Sequence, residues 1–272
     1  IGAIITVFVE LRAKEPLIPV RLFKNRNMAL TTLSGVVLGL AMFGVLGYMP
    51  TYLQMVHQLT PTEAGLMMLP MVVGMLVTGM AVGFIISKTG RYKMYPLVGM
   101  LVTTLGLYLF STLEVTTSLT MLGVYMFIFG FGLGLVMQVL VLIVQNSFPL
   151  ANVGTATSTN NFFRQIGSSI GASLSGSLFI HNMRDNLQER LPEALAQLGP
   201  EGAEYAQRFG EGGANRLTPE LVAQLPAPVK EAVLTSYNDG LTPVFQLMVP
   251  LVIVAFLLLL PVREEKLKED LS

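Results

Sequence analysis

No cysteine occurs among the 272 residues, which excludes disulfides, thiol nucleophiles and cysteine metal sites. Charge is scarce as well: 12% of the chain is Asp, Glu, Lys or Arg, against about 25% in soluble domains. The formal net charge is zero, and no basic stripe with interleaved aromatics is present, so no nucleic-acid partner is expected. Catalytic groupings are missing too. His57 and His181 stand near the ends of apolar segments with no second ligand at metal spacing. No phosphate-cradling G-x-x-x-x-G-K occurs, and no serine sits in a nucleophile elbow between a strand and a helix. Glu63 and Glu114 have no acidic partner nearby in sequence. The expectation is a protein that is not an enzyme and carries no cofactor or metal.

What is present is apolar sequence, 52% of the chain, gathered in long runs. Residues 27–56, 64–87, 94–113, 115–163 and 241–262 contain no Asp, Glu, Lys or Arg. A helix needs roughly 20 apolar residues to cross about 30 Å of hydrocarbon. Each run reaches or approaches that length, and the run from Val115 to Phe163 holds parts of two crossings. The runs are continuous and do not alternate every second residue, so helices are indicated and barrel strands are not.

Six complete spans are predicted: Met28–Met55, Glu63–Ile86, Met94–Ser111, Leu119–Val144, Ala156–Ile180 and Thr242–Val262. Thr60-Pro61-Thr62-Glu63 carries the capping-box pattern at the start of the second span. Thr242-Pro243 repeats its first half, and Ser118 is placed to cap the fourth span. Residues 1–9 are apolar but too short to span, and read as the end of a truncated transmembrane helix. Residues 10–27 read as a cytoplasmic linker, and 263–272 as a cytoplasmic tail.

Orientation follows from Lys and Arg in short loops. Arg12, Lys14, Arg21, Lys24 and Arg26 precede the first span; Lys88, Arg91 and Lys93 follow the second; Arg263, Lys266 and Lys268 follow the last. The loops at 56–62 and 112–117 have no Lys or Arg. Both ends are therefore expected in the cytoplasm of a multi-pass protein of the cell (plasma or inner) membrane. The long connection 181–241, with nine acidic and five basic residues, then faces outside. Leu187, Leu191, Leu195 and Leu198, and likewise Val229, Val233 and Tyr237, recur near helical spacing. Two or three short amphipathic helices broken at Gly199-Pro200, Gly210–Gly213 and Pro226–Pro228 are one reading, and a loosely ordered linker is the other.

The most informative short stretch is Gly83-Phe84-Ile85-Ile86-Ser87-Lys88-Thr89-Gly90-Arg91-Tyr92-Lys93. It resembles the signature loop of the major facilitator superfamily, G-x-x-x-D-R-x-G-R-[RK]. Gly83, Gly90 and Arg91 match, Lys88 replaces Arg, and Lys93 falls just past the pattern. Ser87 stands where the family has Asp, so the charge that holds a conformational latch in the family is absent from this loop. The stretches Pro16–Arg26, Tyr48–Gln54, Pro61–Gly65, Gly154–Ser158 and Phe162–Gly167 are similar to the drug:proton antiporter branch with fourteen spans. That resemblance implies an all-α six-helix half of a major facilitator bundle, built from two inverted three-helix repeats. It further implies export of lipophilic or cationic small molecules, driven by a proton gradient. This chain would be the carboxy-terminal half, and the coupling carboxylates would lie in the missing amino-terminal half. The alternative is an inert fragment or a non-transporting membrane scaffold.

Polar residues inside spans are the remaining candidates for a substrate cavity. Arg164, flanked by Asn160, Asn161 and Gln165, lies about two turns into the predicted fifth span. It either faces the protein interior or snorkels to the cytoplasmic surface. Gln138 faces a cavity or makes a helix–helix hydrogen bond. Tyr48 and Gln54 are candidates near the outer end of the first span. Gly35 with Gly39, Gly79 with Gly83, Gly167 with Gly171, and the cluster Gly130, Gly132 and Gly134 suit close helix packing. Met42, Met67, Met68, Met71, Met75 and Met137 either line a plastic apolar pocket or fill the core.

Overall fold

The structure is a computed structural model that describes residues 20–203, 205 and 217–267. The apolar termination predicted at 1–9, most of the linker at 10–27 and the Gly210–Gly213 break lie outside those residues. Among the described residues, a 3₁₀ turn at Val20–Lys24 is followed by nine α-helices with both ends defined. They are α1 (Arg26–Leu46), α2 (Met49–Val56), α3 (Pro61–Met67), α4 (Leu69–Thr89), α5 (Met94–Ser111), α6 (Leu119–Asn146), α7 (Leu150–Ala196), α8 (Pro219–Ala223) and α9 (Ala227–Leu259).

Two predicted spans are each broken once by proline. Pro50 has no N–H to give to Leu46, and the first span divides into α1 and α2 at Gly47-Tyr48. Pro70 divides the second into α3 and α4 at Met68. The Thr60 capping box with Glu63 forms as expected, as does the Ser118 cap. Among the described residues, five spans are long and apolar enough to cross a membrane: Arg26–Val56, Pro61–Thr89, Met94–Ser111, Leu119–Asn146 and Ala227–Leu259. The helix α7 is not among them. It is 47 residues long, but its serines, asparagines, Arg164 and Gln165 dilute its hydropathy.

The largest departure from expectation is the connection 181–241. Helix α7 does not stop at Ile180 but continues to Ala196, and α9 begins at Ala227, well before Thr242. At about 1.5 Å per residue, α7 extends about 70 Å, more than twice the hydrocarbon thickness. The extension is held by packing: Ala194, Val229 and Ala232 form a buried cluster with Leu191, Leu195, Leu198 and Leu225 around it. Arg190 pairs with Asp239 across the same contact. Thr242 is therefore not a cap. It lies inside α9 with its hydroxyl donating to the Asn238 carbonyl, and Pro243 and Pro250 are interior residues. Pro226 takes the N-cap position instead.

The packing is paired. Helix α4 lies on α6, and α7 lies on α1; α5 lies on α6, and α9 lies on α1. Helices α5 and α9 touch each other, as do α1 and α6. Glycine sets the closest of these approaches. A Cβ on Gly130 would overlap the Met71 carbonyl, and one on Gly134 the Thr78 hydroxyl. On the other side, a Cβ on Gly167 would overlap the Val36 carbonyl, and one on Gly171 the Leu40 carbonyl. Gly132 meets Thr103 of α5 in the same way, and Gly39 meets the Arg164 carbonyl. Gly35 and Gly83 differ from this expectation, since nothing lies within 4 Å of where their Cβ would stand; Gly79 has only ordinary contacts. Buried hydroxyls bridge the pairs, Thr78 to the Phe131 carbonyl at 3.1 Å and Ser34 to the Ala255 carbonyl at 3.2 Å.

Candidate functional site

Helix α7 begins at Leu150 behind the Pro149 cap, six residues before its predicted start at Ala156. Arg164 therefore lies about four turns into the helix instead of two. Its guanidinium is half-buried and crosses to α6, donating to the Met137 sulfur at 3.4 Å and to the Asn161 side-chain oxygen at 3.0 Å. Among the described residues no carboxylate lies within 4 Å of it. Gln138, next to Met137, is exposed, and its stem lies 3.7 Å from the Cβ position of Gly79 on α4. Gln165 is exposed one residue beyond Arg164. Ser158, Ser169, Ser173 and Ser177 continue the exposed side of α7, interleaved with Phe162, Ile166, Ile170 and Leu174. Five to six turns of a membrane-length helix thus present polar side chains away from this bundle. In hydrocarbon such groups require a protein or water partner.

The remaining cavity candidates are placed elsewhere. Asn160 is buried at 3% exposure and donates to the Thr32 hydroxyl of α1 at 3.1 Å, a helix–helix tie. Gln54 bonds back to the Pro50 carbonyl within α2. Tyr48 donates to the Ala172 carbonyl at 3.3 Å and lines a cavity of about 280 Å³ with Phe179, Met183, Leu187 and Tyr237, at the opposite end of α1 from Asn27. Of the methionines, Met71 packs under Gly130, Met137 holds Arg164, and Met67 lines a shallow hollow of about 460 Å³ with Pro70 and Phe127. A buried pair went unforeseen: the Tyr52 hydroxyl donates to Asn238 at 2.9 Å, and Asn238 donates to the Leu113 carbonyl at 2.9 Å.

The Gly83–Lys93 turn closes as its glycine predicts. Gly90 takes φ +68° as the C-cap of α4, and its N–H returns to the Ile86 carbonyl at 2.8 Å. Ser87 turns its hydroxyl back to the Phe84 carbonyl, and Lys88 lies 4.2 Å over the Phe84 ring. The turn's external partner is the tail after α9. One Glu264 carboxylate oxygen accepts from the Tyr92 N–H at 2.7 Å and the Lys93 N–H at 3.2 Å. The Tyr92 hydroxyl, 1% exposed, accepts from the Glu265 N–H at 2.8 Å and from Asn146 of α6 at 3.4 Å. Asn27 of α1 exchanges hydrogen bonds with the Arg263 backbone, both at 3.0 Å, and donates to Glu265 at 3.2 Å. The sequence signal for this clasp was modest: two asparagines, Asn27 and Asn146, at the ends of apolar runs, and an acidic pair in a basic tail.

Among the described residues no group of three or more His, Asp or Glu lies together. A string with G-x-S-x-G spacing, Gly167–Gly171, lies inside α7, where Ser169 donates to the Gln165 carbonyl at 3.1 Å. It is a helix interior, without the strand-to-helix turn that a nucleophile elbow needs.

Residues 7–172 match the model of the Major Facilitator Superfamily. The chain belongs to that superfamily. It is 35% identical to the uncharacterized MFS-type transporter Rv1877 of Mycobacterium tuberculosis, over 97% of this chain and 36% of that protein. It is 31% identical to the multidrug transporter protein MdtP of Bacillus subtilis, over 90% of this chain and 47% of that protein. The MFS-type efflux transporter pyiT of Pyricularia grisea is 28% identical over 93% of the chain and 41% of its own length. The chain thus spans less than half the length of these relatives. A bacterial homolog of the human lysosomal transporter Spinster, a solved structure, shares its fold at a TM-score of 0.67 and 16% identity, covering 91% of this chain and 51% of that one.

Proposed function

We propose that this chain is the carboxy-terminal half of a multidrug exporter of the fourteen-spanner, proton-antiporting branch. The observation that carries the reading is the uncovered polar face of α7 with Arg164, beside Gln138 on α6. A helix that long, with Gln165 and four serines outward and the Arg164–Asn161 pair half-buried beside them, is costly against lipid. It is suited to face a water-filled pathway and a second half of the molecule. The names of the Bacillus and Pyricularia relatives, a multidrug transporter and an efflux transporter, support the activity, and the coverage of less than half of each supports the word half.

On this reading α7 is a sixth crossing. The pairs α4–α6 and α7–α1, and α5–α6 and α9–α1, interchange when the first three spans are exchanged for the last three. Each set makes an odd number of crossings, so consecutive sets run in opposite directions, as two inverted repeats do. Both ends are cytoplasmic, the 181–241 connection is outside, and the membrane is the cell membrane. The partners are the bilayer, a small lipophilic substrate and an amino-terminal half supplying the coupling carboxylates. The half itself supplies one wall of the pathway.

The test is dye efflux from vesicles that contain this chain together with an amino-terminal half from the Mycobacterium or Bacillus relative. Export driven by an imposed proton gradient, abolished by a protonophore, is expected. Correct insertion with no efflux beside either partner would leave the scaffold or inert-fragment reading in its place.

A further inference from the structure

The α4–α5 turn has a charge problem that its own residues do not solve. The first N–H groups of a helix lack intrahelical partners and carry partial positive charge. No side chain caps α5 locally, since Lys93 at its N-cap makes no such bond. Lys88, Arg91 and Lys93 add three full positive charges within the same turn. Ser87, the turn residue placed to offer an acid, is a neutral hydroxyl engaged with the Phe84 carbonyl.

We propose that Glu264 is the latch acid of this half, supplying from the tail after α9 the negative charge that the Gly83–Lys93 turn lacks at Ser87. The carboxylate accepts from the N–H groups of Tyr92 and Lys93, at and just before the N-cap of α5, at 2.7 and 3.2 Å. Ser87 and Glu264 line the same cleft of about 840 Å³, together with Lys88, Arg91 and Lys266. The tail is not merely laid there. Arg263 and Glu265 are tied to Asn27 at the start of α1, and Glu265 and Lys266 offer their carbonyls to Asn146 at the end of α6, at 3.3 and 3.1 Å.

The tail after α9 is thus attached at three places in the fold: the α4–α5 turn, the start of α1 and the end of α6. Helix α4 is locked to α6 by Gly130 and Gly134, and α5 to α6 by Gly132, so the middle of the bundle cannot slide there without overlap. Movement of the α4–α5 turn at this end must therefore begin by separating Glu264 from Tyr92 and Lys93. Glu264 is a positioning residue: it touches no substrate and acts by holding the turn. Its latch role rests on the export reading, whereas the clasp does not.

Hydrogen exchange with mass spectrometry of the purified chain tests the clasp without any transport assay. Glu264→Ala is expected to speed amide exchange at least tenfold in peptides covering residues 90–95 and 262–267, with α4, α5 and α6 interiors unchanged. Adding Ser87→Asp to that variant is expected to restore at least part of the protection at 90–95. Unchanged exchange at the turn, or acceleration spread through the helix interiors, overturns the proposal. In the assembled exporter, Glu264→Ala is expected to lower maximal efflux at least fivefold while leaving the apparent KM for dye within twofold. A rise in KM alone, with maximal rate kept, overturns the latch role even where the exchange result stands.

Discussion

Arg164 of α7 and Met137 of α6 meet guanidinium to sulfur at 3.4 Å. A thioether is a weak acceptor that offsets no charge, so the cation is held in place without being neutralised by any described carboxylate. On the proposed exporter reading, this arrangement leaves the charge available to a substrate or to a group on the opposing half. In an exporter assembled with an amino-terminal half, Arg164→Met is expected to cut dye efflux by about tenfold or more, equivalent to about 1.4 kcal/mol. Arg164→Lys should recover only part of it, because the fork that reaches Met137 and Asn161 together is lost. Full efflux in Arg164→Met would remove the residue from the pathway.

The glycine interlocks predict opposite outcomes at two helix glycines, Gly167 of α7 and Gly83 of α4. Gly167→Val places a side chain into the Val36 carbonyl and should destabilise by about 1–3 kcal/mol through overpacking, with α1 and α7 forced apart. Gly83→Ala meets nothing within 4 Å and should be neutral, or stabilising by up to about 1 kcal/mol from helix propensity. Unfolding midpoints in detergent titrated with a denaturing surfactant compare the two directly. Equal losses at both positions would contradict the interlock.

The buried chain from Tyr52 through Asn238 to the Leu113 carbonyl predicts coupling. Asn238 is 4% exposed and Tyr52 fully buried. Asn238→Ala strands both the phenol and the carbonyl, costing about 1–3 kcal/mol. Tyr52→Phe should cost less, and the double variant little more than Asn238→Ala by itself. Strictly additive losses in that cycle would mean that the two side chains do not act together.

His57, just past α2, has its Nε2 buried without a hydrogen-bond partner among the described residues, and its ring stands 5.8 Å from that of Tyr52. Burial holds its pKa below the ordinary 6.5. The unfolded chain therefore takes up the proton first, and stability is lost as pH falls below about 6.5, until the folded form is protonated as well. Thermal unfolding measured between pH 8 and pH 5 should show a falling midpoint in the parent chain and a flatter profile in His57→Gln. Parallel profiles would assign the acid sensitivity to other groups.

Much of the fold was legible because a bilayer simplifies the reading. Hydrocarbon offers backbone groups no partners, so any long run of Val, Leu, Ile, Phe and Met between basic loops has to be helical. Caps were local and equally legible: Thr60 needs only Glu63, three residues away, and Ser118 needs only the amide of Met121. The error at 181–241 had the opposite origin. A helix does end before Gly199-Pro200 and another does begin after Pro226, but Thr242-Pro243 argued for a helix start, whereas Val229, Val233 and Tyr237 are buried against neighbouring elements, and that packing carries α9 through Pro243. Tertiary burial outweighed the local signal.

The candidate site divided along the same line. Arg164, Gln138 and Gln165 stood out as polar residues in apolar runs, and the structure sets them on or beside the open face. Asn160 had the same signal and is instead a tie to Thr32. A sequence shows that a polar group lies in a span, but not which neighbour satisfies it.

Local pattern was enough to show that the chain belongs in a membrane, where most of its crossings begin and end, which loops are basic, and that the Gly83–Lys93 turn is short of an acid. Those properties depend on runs and neighbours within a few residues. Which helices pair, which glycines permit the pairing, and that Glu264 of the tail meets the turn emerged from the packed fold alone. Asn27 and Arg263 are 236 positions apart and bonded at 3.0 Å. Such a contact arises when the first and last helices are packed side by side, and no local pattern in the chain encodes it.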